Sequence, residues 1–508
     1  MRVEKPAKAV LQPGLNVWKK VHAEKVRFLI DMEAYLKHLK PALKTAKRSI
    51  WIVGWDFNPF LDLDQGEEGT CCELGPFLRD LVEDNPKLDI RILIWGEGPV
   101  FSGRTLRFFQ GMEWENHPRI HLHFDLSHPV RASHHQKIVV VDEGLAFVGG
   151  MDLTAKRWDD RTHRMDNPLR VTREGEAYPP VHDVQVLISG EAASALADVA
   201  RWRWHRAVEE QIPAHGSLSH SWPCEWEPHM KNCDAGIALT QPGTTSGTRR
   251  TEAIRLTCDA IASARECIYI EAQYLASTRV TKRLAARLKE KDGPEVVIIV
   301  PQTTRGSLEQ LTMGEGMARC VRKLRRANKH DRLRAMYAVV PTEDGDEVEI
   351  LIHAKVVIVD DWLVRVGSSN LNNRSEGFDT ECDLALVSDD ESCRGAIVDL
   401  RNDLLAEHLD ADKGELARLI AERGSVISAL DALNVRSKGL RPLDIIPARI
   451  NLIASIGKSL FDPKRPYWPL QRIAGWAVSQ FRRLRTGIAP RHRKLGDGGT
   501  GCEDELLR

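Results

Sequence analysis

The sequence predicts an α/β protein built from two similar lobes. Helical segments alternate with short β-branched runs along the chain, which favours sheets covered by helices on both faces. The same order of segments occurs twice, and 508 residues are more than one hydrophobic core normally serves. Two similar α/β/α lobes, followed by a helical C-terminal extension, account for these observations.

The duplication is visible in the first helix and strand of each half. Residues 32–57 have apolar side chains three and four apart and then a strand-like run at 49–54. Residues 249–275 repeat that order, with the strand at 267–271. Each half continues with another helix and strand, at residues 74–96 and 281–301. Because the repeated unit is a whole lobe, we expect a duplicated domain and not a solenoid.

The remaining boundaries follow from composition. We assign residues 1–213 to the N-terminal lobe and residues 237–410 to the C-terminal lobe. The segment 214–236 between them is rich in Ser, Pro, His and Gly and lacks periodicity, so it is interpreted as a linker. Residues 411–494 are expected to form a helical, basic amphipathic extension, and residues 495–508 a disordered tail.

One nine-residue motif occurs in both halves. HHQKIVVVD, at residues 134–142, places His135 and Lys137 two apart, on the same face of a strand. Two cations directed at one point suggest a bound anion. IHAKVVIVD, at residues 352–360, repeats the His, Lys and Asp at identical spacing. Glycine turns follow both copies, GGMD at 149–152 and GSSN at 367–370, which makes a chance match very improbable.

These motifs resemble the phospholipase D superfamily, and particularly its phosphatidylcholine-hydrolysing branch. The resemblance rests on HHQKIVVVD with FVGGMDL, on IYIEAQYL, and on IHAKVVIVDD with VGSSNLNNRSEGFDTE. It covers about residues 15–410 and fades over the C-terminal hundred. It implies lobes with mixed sheets that are related by a pseudo-two-fold axis, with the active site at their interface.

Such an arrangement would bring the histidine and lysine of both motifs into one pocket. A neutral imidazole can attack phosphorus and a protonated imidazole can donate to the leaving oxygen. The resemblance implies a phosphohistidine intermediate that water or an alcohol resolves. We assign His135 as nucleophile and His353 as acid and base, although the symmetry leaves the reverse assignment open. Lys137 and Lys355 would hold the non-bridging oxygens.

Further residues of the motifs complete the predicted site. The phosphate is expected to contact the amides or side chains of the glycine turns, at Gly150, Ser368 and Asn370. Asp152 is a weaker candidate, because many relatives carry Asn there and a carboxylate beside a phosphate is unfavourable unless it is paired.

Four acidic residues belong to or follow the motifs. Asp142 and Asp360 belong to the catalytic signature, but each faces away from its lysine on a strand, which favours a structural role. A nucleophilic imidazole needs a partner on its other nitrogen. The resemblance gives that orienting role to Asp183 and Glu381, and the alternative is an ordinary acid at a strand edge.

Composition limits the partners and cofactors. The formal net charge is zero, which argues against a nucleic-acid-coating protein. The ten cysteines lack the spacing of a zinc site, and we expect mostly reduced core thiols. The lysines supply the positive charge at the predicted site, so no metal and no cofactor are expected and the reaction should survive chelators.

The C-terminal extension has a distinct charge. Residues 464–494 carry nine Lys or Arg and no acid, residues 495–508 sum to −3, and residues 1–463 are left with −6. Apolar residues three and four apart make 464–494 a basic amphipathic helix, suited either to an anionic membrane surface or to the acidic body of the same protein. Without a signal-like or spanning segment, we expect a monomer in the cytoplasm that associates peripherally with membranes.

The leading functional prediction is a phospholipase D that converts phosphatidylcholine or a similar phospholipid to phosphatidic acid and the free head group, with head-group exchange as a further activity. A phosphatidyltransferase similar to cardiolipin synthase is the alternative within the same chemistry. The alternative from another class is an inactive membrane-binding scaffold that kept the fold.

Overall fold

The computed structural model describes residues 10–66, 71–97, 113–129, 131–216, 222–243, 249–303 and 314–444. The basic segment 464–494 and the tail 495–508 lie outside the described residues, so the predictions of a membrane-binding helix and of a disordered end stay predictions. No helix in these described ranges is long and apolar enough to span a bilayer.

The first lobe begins with a long strand and then alternates helices and strands before its motif. Its elements are β1 (Lys19–Ile30), α1 (Asp31–Lys44), β2 (Ser49–Gly54), α2 (Leu74–Asp84), β3 (Asp89–Trp95), β4 (Ile120–Asp125), β5 (Ile138–Val141), β6 (Leu145–Gly149), β7 (Val181–His182), β8 (Val184–Ser189) and α3 (Glu191–Val208).

The second lobe repeats this order and adds elements at its end. Its elements are β9 (Met230–Gln241), β10 (Arg250–Thr251), α4 (Glu252–Ser263), β11 (Cys267–Ala272), α5 (Thr278–Lys289), β12 (Glu295–Ile299), α6 (Glu315–Ala327), β13 (Leu333–Pro341), β14 (Glu347–Glu349), β15 (Leu351–Ile352), β16 (Lys355–Val359), β17 (Leu363–Gly367), β18 (Glu381–Val387), α7 (Glu391–Leu409), α8 (Lys413–Arg423), α9 (Val426–Leu433) and β19 (Gly439–Pro442).

The two lobes have the same strand order. Strands pair as β4-β3-β2-β5-β6-β8-β1 in the first lobe and as β13-β12-β11-β16-β17-β18-β9 in the second. In each lobe the first three of these strands are parallel and the others antiparallel, so both sheets are mixed as predicted. One apolar core, shared by both lobes, packs against α3 and α7, and separate cores cover the opposite face of each sheet.

Equivalent strands join the lobes. β1 and β9 hold the same position in their sheets and pair with each other antiparallel, for example Val21 with Ala235. An antiparallel pair of equivalent strands is the arrangement that a pseudo-two-fold axis produces. The sheets therefore run into one another across this pair.

The structure corrects two predicted boundaries. Residues 230–236, which were assigned to the linker, belong to β9. Every second residue of this strand, Cys233, Ala235 and Ile237, is buried, but the charged residues of the strand interrupt its apolar pattern. The second lobe does not end at residue 410, since β19 pairs with β13 at the edge of its sheet. Sequence reasoning missed β1 for the same reason as β9, because Lys, His and Glu fill its first half.

The aspartates of the two motifs fasten the start of a neighbouring strand. Asp142 accepts hydrogen bonds from the backbone N–H groups of Lys47, Arg48 and Ser49 at 2.7–2.8 Å. Asp360 accepts the equivalent three in the second lobe, from residues 265–267. A carboxylate that satisfies three backbone donors fixes where β2 and β11 begin.

This geometry predicts a stability loss in Asp360→Asn. The amide keeps one acceptor oxygen and tolerates the left-handed backbone of residue 360, where φ is 52°. The charge and part of the acceptor capacity are lost, which should cost about 2 kcal/mol of unfolding free energy in urea denaturation.

Asp361→Asn is the matched control. Asp361 pairs with Arg394 on the surface, and its side chain is 35% exposed. We expect its loss to cost less than about 1 kcal/mol. Equal effects of the two substitutions would contradict the role given to Asp360.

Candidate active site

Each motif histidine is carried by a loop that pairs with the other lobe. The backbone N–H of His135 donates to the carbonyl of Thr380 at 2.9 Å, and that of His353 donates to the carbonyl of His182 at 2.7 Å. These are equivalent bonds in the two halves. They place both histidines at the interface between the lobes, directly before β5 and β16.

His135 is held in one tautomer. Its Nδ1 lies 3.0 Å from the carbonyl oxygen of Ser368 and 3.0 Å from Oε2 of Glu381. A carbonyl oxygen only accepts, so Nδ1 carries the hydrogen and donates it. The lone pair of the neutral ring is therefore on Nε2. Burial, with Lys137 and Lys355 nearby, keeps the pKa of His135 well below its usual value.

Glu381 is the acceptor behind His135. It is completely buried and receives hydroxyl hydrogen bonds from Ser368 at 2.5 Å and Ser375 at 2.6 Å. Burial raises the pKa of Glu381 to about 7, against the opposing effect of the two hydroxyls and both motif lysines. Its charge is therefore sensitive to pH near neutrality.

His353 has the equivalent partner from the first lobe. Its Nδ1 lies 2.6 Å from Oδ2 of Asp183, whose other oxygen accepts the backbone N–H of Val184 at 2.8 Å. Burial raises the pKa of Asp183 and lowers that of His353 well below its usual value. Both shifts favour the uncharged form of the pair while the site holds no anion.

The lysines are buried beside their histidines. Lys137 Nζ donates to the carbonyl of His135 at 2.8 Å and lies 3.1 Å from Oδ2 of Asp152. Lys355 Nζ donates to the carbonyl of His353 and, at 3.3 Å, to Gln273. Burial, reinforced by the charge of Lys137, lowers the pKa of Lys355 to about 7.

The two motifs interact electrostatically. Lys137 and His135 contribute to lowering the pKa of His353, and Lys355 contributes to lowering that of His135. The contacts of both histidine loops with the opposite lobe place these four groups at the same interface. An anion placed among them would relieve the repulsion that opposes their protonation.

The glycine turns make contacts within the protein. The N–H groups of Gly150 and Ser368 donate to strand carbonyls at 3.3 and 3.1 Å, so they are already used. A Cβ on Gly150 would lie 2.2 Å from Asp183, which explains the need for glycine there. The Ser368 hydroxyl holds Glu381. Of the three predicted residues, Asn370 keeps an unused group, since its buried Oδ1 has no hydrogen-bond partner, and the same holds for the hydroxyl of the neighbouring Ser369.

Asp152 and the motif aspartates are not free to contact a phosphate. Asp152 is paired with Lys137 and accepts the backbone N–H of Trp55 at 2.8 Å. Asp142 and Asp360 accept the backbone bonds described above. These contacts at the strand starts agree with the structural role that the strand pattern favours for Asp142 and Asp360.

Two residues near the site were missed by sequence reasoning. The hydroxyl of Ser375 donates a hydrogen bond to Glu381. The one sequence signal for this role is that Ser375 is a polar residue in the loop before the acid. Arg157 contributes to lowering the pKa of His353 and of Lys355, so its charge acts on the site. It belongs to an irregular segment without periodicity, and nothing in the sequence marked it.

Comparisons with known proteins agree with this geometry. Residues 257–401 match the family model described as "Cardiolipin synthase, PLD-like domain". The chain is 23% identical over 72% of its length to phospholipase D A of Dictyostelium discoideum, and 23% identical over 76% to phospholipase D1 of Saccharomyces cerevisiae. It spans only 33% and 29% of those two proteins.

One solved structure supports the fold. The crystal structure of phosphatidylserine synthase from Haemophilus influenzae superposes with a TM-score of 0.53 at 14% identity, over 83% of this chain and 98% of that one. With paired histidine and lysine motifs at a lobe interface, a family model that matches residues 257–401 and several phospholipase D relatives, the chain is similar to proteins of the phospholipase D superfamily.

Proposed function

We propose that this protein is a phosphodiesterase of the phospholipase D type. It would cleave phosphatidylcholine or a similar phospholipid to phosphatidic acid and the free head group through a phosphohistidine. One observation carries the proposal: each imidazole is oriented through Nδ1 by a buried carboxylate of the opposite lobe, at 3.0 Å for His135 and 2.6 Å for His353. Both Nε2 atoms are thereby left for a substrate between the lobes.

The contacts favour His135 as the nucleophile. The Ser368 carbonyl admits only the Nδ1–H tautomer, so Nε2 of His135 carries the lone pair that attacks phosphorus. Among the described contacts, Nδ1 of His353 meets no backbone carbonyl. Its short contact, at 2.6 Å, is with the carboxylate oxygen Oδ2 of Asp183. The two orientations break the symmetry that the motifs alone leave open.

The reaction then has two balanced steps. Nε2 of His135 forms a bond to phosphorus while the bond to the head-group oxygen breaks, and His353, which the bound phosphate anion allows to be protonated, gives that oxygen a proton. In the second step His353 takes a proton from water, whose oxygen displaces His135 from phosphorus. Glu381 stabilises the positive charge that develops on His135, while Lys137 and Lys355 stabilise the phosphoryl oxygens.

The second candidate is a phosphatidyltransferase, in which a lipid or alcohol hydroxyl replaces water in the second step. The description of the matching family model names cardiolipin synthase, which favours this alternative. The first step is the same in both candidates. They differ in the group that resolves the phosphohistidine.

A lipid assay tests both candidates. The purified protein is incubated with mixed phospholipid vesicles in EDTA, with and without added ethanol, and the lipids are analysed by mass spectrometry. We expect phosphatidic acid, which ethanol partly replaces by phosphatidylethanol. Cardiolipin formed from phosphatidylglycerol would support the transferase, and no conversion of any phospholipid would indicate the inactive scaffold.

The roles of the histidines can be separated with an activated substrate. His353→Asn should lower phospholipid turnover by about 10²–10⁴-fold, because the leaving alkoxide loses its acid. A p-nitrophenyl phosphodiester needs no acid, so this variant should release nitrophenol in a burst and retain the phosphoryl group on the protein.

His135→Asn is the matched control, because it lacks the attacking nitrogen. It should show neither a burst nor a covalent adduct in intact-protein mass spectrometry. A burst in His135→Asn and none in His353→Asn would reverse the assignment.

The shifted pKa values predict a narrow pH profile. Activity requires the Glu381 carboxylate, which is lost as the pH falls through about 7, and the Lys355 ammonium, which is lost as the pH rises through about 7. It also requires a protonated His353, whose pKa is lowered in the free site and is raised again by the bound phosphate anion. We expect a bell-shaped kcat/KM with its maximum near pH 7.

Glu381→Gln isolates one limb of this profile. It should lower kcat/KM and also flatten the acid limb, because no carboxylate remains to be protonated. Retention of the full acid limb in this variant would show that another group titrates there.

A further inference from the structure

We propose that Asp31, His163, His182 and Glu407 form a buried site for a divalent metal ion, and that zinc fits it best. The group is separate from the phosphate site and lies behind His353. Its members come from both lobes: the start of α1, the segment before β7, β7 itself and the end of α7. All four side chains are at most 1% exposed.

The ligand atoms are spaced as a metal shell requires. His163 Nε2 lies 3.0 Å from Glu407 Oε1 and 3.5 Å from Asp31 Oδ2. His182 Nδ1 lies 2.9 Å from the same Glu407 oxygen and 3.2 Å from Asp31 Oδ1. Tetrahedral zinc, with bonds of about 2.0–2.1 Å, separates its ligand atoms by about 3.3–3.4 Å.

Hydrogen bonding alone leaves two atoms of this group unexplained. His182 Nδ1 and Asp31 Oδ2 are buried and have no hydrogen-bond partner, although oppositely charged groups lie within 3.5 Å. The ligand atoms of all four residues lie within 4.8 Å of one another, so a single ion could contact them together. Buried polar groups are rarely left without a partner, so a partner for these two atoms is expected.

The outer contacts of the two imidazoles are those of metal ligands. His182 directs its other nitrogen, Nε2, at Glu271 at 3.0 Å, and His163 directs Nδ1 at Asp159 at 2.9 Å. A metal-bound histidine characteristically donates its second N–H to a carboxylate, which fixes the tautomer. Each outer carboxylate is itself held, Glu271 by the Tyr269 hydroxyl at 2.6 Å and Asp159 by Arg170 at 3.0 Å.

Charge and ligand chemistry agree with the proposal. Two neutral imidazoles, two carboxylates and one divalent ion sum to zero, so the group can be buried with an ion bound. Without an ion the same balance requires both rings to be protonated, the form that the surrounding carboxylates favour by raising the pKa of His163 and of His182. Nitrogen and oxygen ligands suit zinc or another first-row ion. The proposed ion would touch no substrate and would leave the lysines to bind the phosphate.

The ion would stabilise the position of the acid His353. The carbonyl of His182 accepts the His353 N–H at 2.7 Å, and the next residue, Asp183, contacts the ring. The backbone N–H of Asp31 donates to the carbonyl of Asp183 at 2.9 Å, and the backbone N–H of Asp183 donates to Oδ1 of Asp31 at 3.2 Å. Fixing Asp31 and His182 on one ion would therefore fix Asp183.

The test uses the full chain, expressed in zinc-supplemented medium and purified without chelator. Elemental analysis should find one metal ion per chain, released to a chromogenic chelator only when guanidinium unfolds the protein. X-ray absorption at the metal edge should show nitrogen and oxygen ligands with imidazole scattering and no sulfur.

A pair of variants locates the ion. Glu407→Gln should weaken zinc binding by about 100-fold or more in chelator competition, since even outer-shell changes cost 10–100-fold. Glu143→Gln removes a buried carboxylate that pairs with Arg201 elsewhere, and should keep the metal. If Glu407→Gln does not fold, the X-ray absorption spectrum of the unsubstituted protein determines by itself whether the ion has the proposed ligands.

Three results would overturn the proposal. One is a folded protein that contains no metal and takes up no zinc. The second is sulfur among the ligands of the bound ion, which would place the ion on cysteines elsewhere in the protein. The described cysteines are free thiols, and six of them are buried. The third is unchanged zinc affinity in folded Glu407→Gln. None of these measurements depends on lipid cleavage, so they stand apart from a failure of the proposed function.

Discussion

The site depends on a reciprocal exchange across the lobe interface. Each lobe supplies one histidine and the carboxylate that orients the histidine of the other lobe. The backbone repeats the exchange, because each histidine N–H bonds a carbonyl of the opposite lobe immediately before the orienting acid. Neither lobe alone contains an oriented imidazole, so the chemistry requires that the lobes stay docked.

The β1 and β9 pair explains how that docking is maintained. These strands occupy the same position in the two sheets and bond to one another, so that the sheet continues through the pseudo-two-fold axis. An apolar core shared by both lobes lies beneath it. A sliding motion would break strand hydrogen bonds and expose apolar surface, which makes the relative position of His135 and His353 resistant to change.

Much of the fold could be predicted because the relevant segments are locally consistent. The strand 49–54 was predicted at its observed bounds, and the strand 267–271 is one residue longer in the structure. Both have apolar runs after an amphipathic helix. β1 and β9 were not predicted because charged residues interrupt their apolar pattern. Those residues occupy partly exposed positions, which become evident only once the whole sheet is assembled. Local pattern carries no information about which strand becomes the join between lobes.

The site was predictable in its residue types but not in its connections. Repeated spacing identified the histidines and lysines, and the resemblance pointed to Asp183 and Glu381. Neither the spacing nor the resemblance could show that the N–H groups of Gly150 and Ser368 bond to carbonyls of neighbouring strands. They also could not show that the charge of Arg157 acts on the site. Those facts depend on contacts between residues distant in sequence, which spacing along one strand does not encode.

The two halves carry the same histidine and lysine pair but differ in what supports it. His135 has a carbonyl and two serine hydroxyls around its acid, whereas His353 and Asp183 rest on the buried group of Asp31 and His182. Where the second lobe has Thr380, the first has His182, and where β2 has Val53, β11 has Glu271. A pair of interacting imidazoles titrates as a unit, and a bound phosphodiester with two unlike ends divides nucleophile from acid even where the surroundings are identical. The different supports in this protein bias that division, in the direction of the proposed roles of His135 and His353.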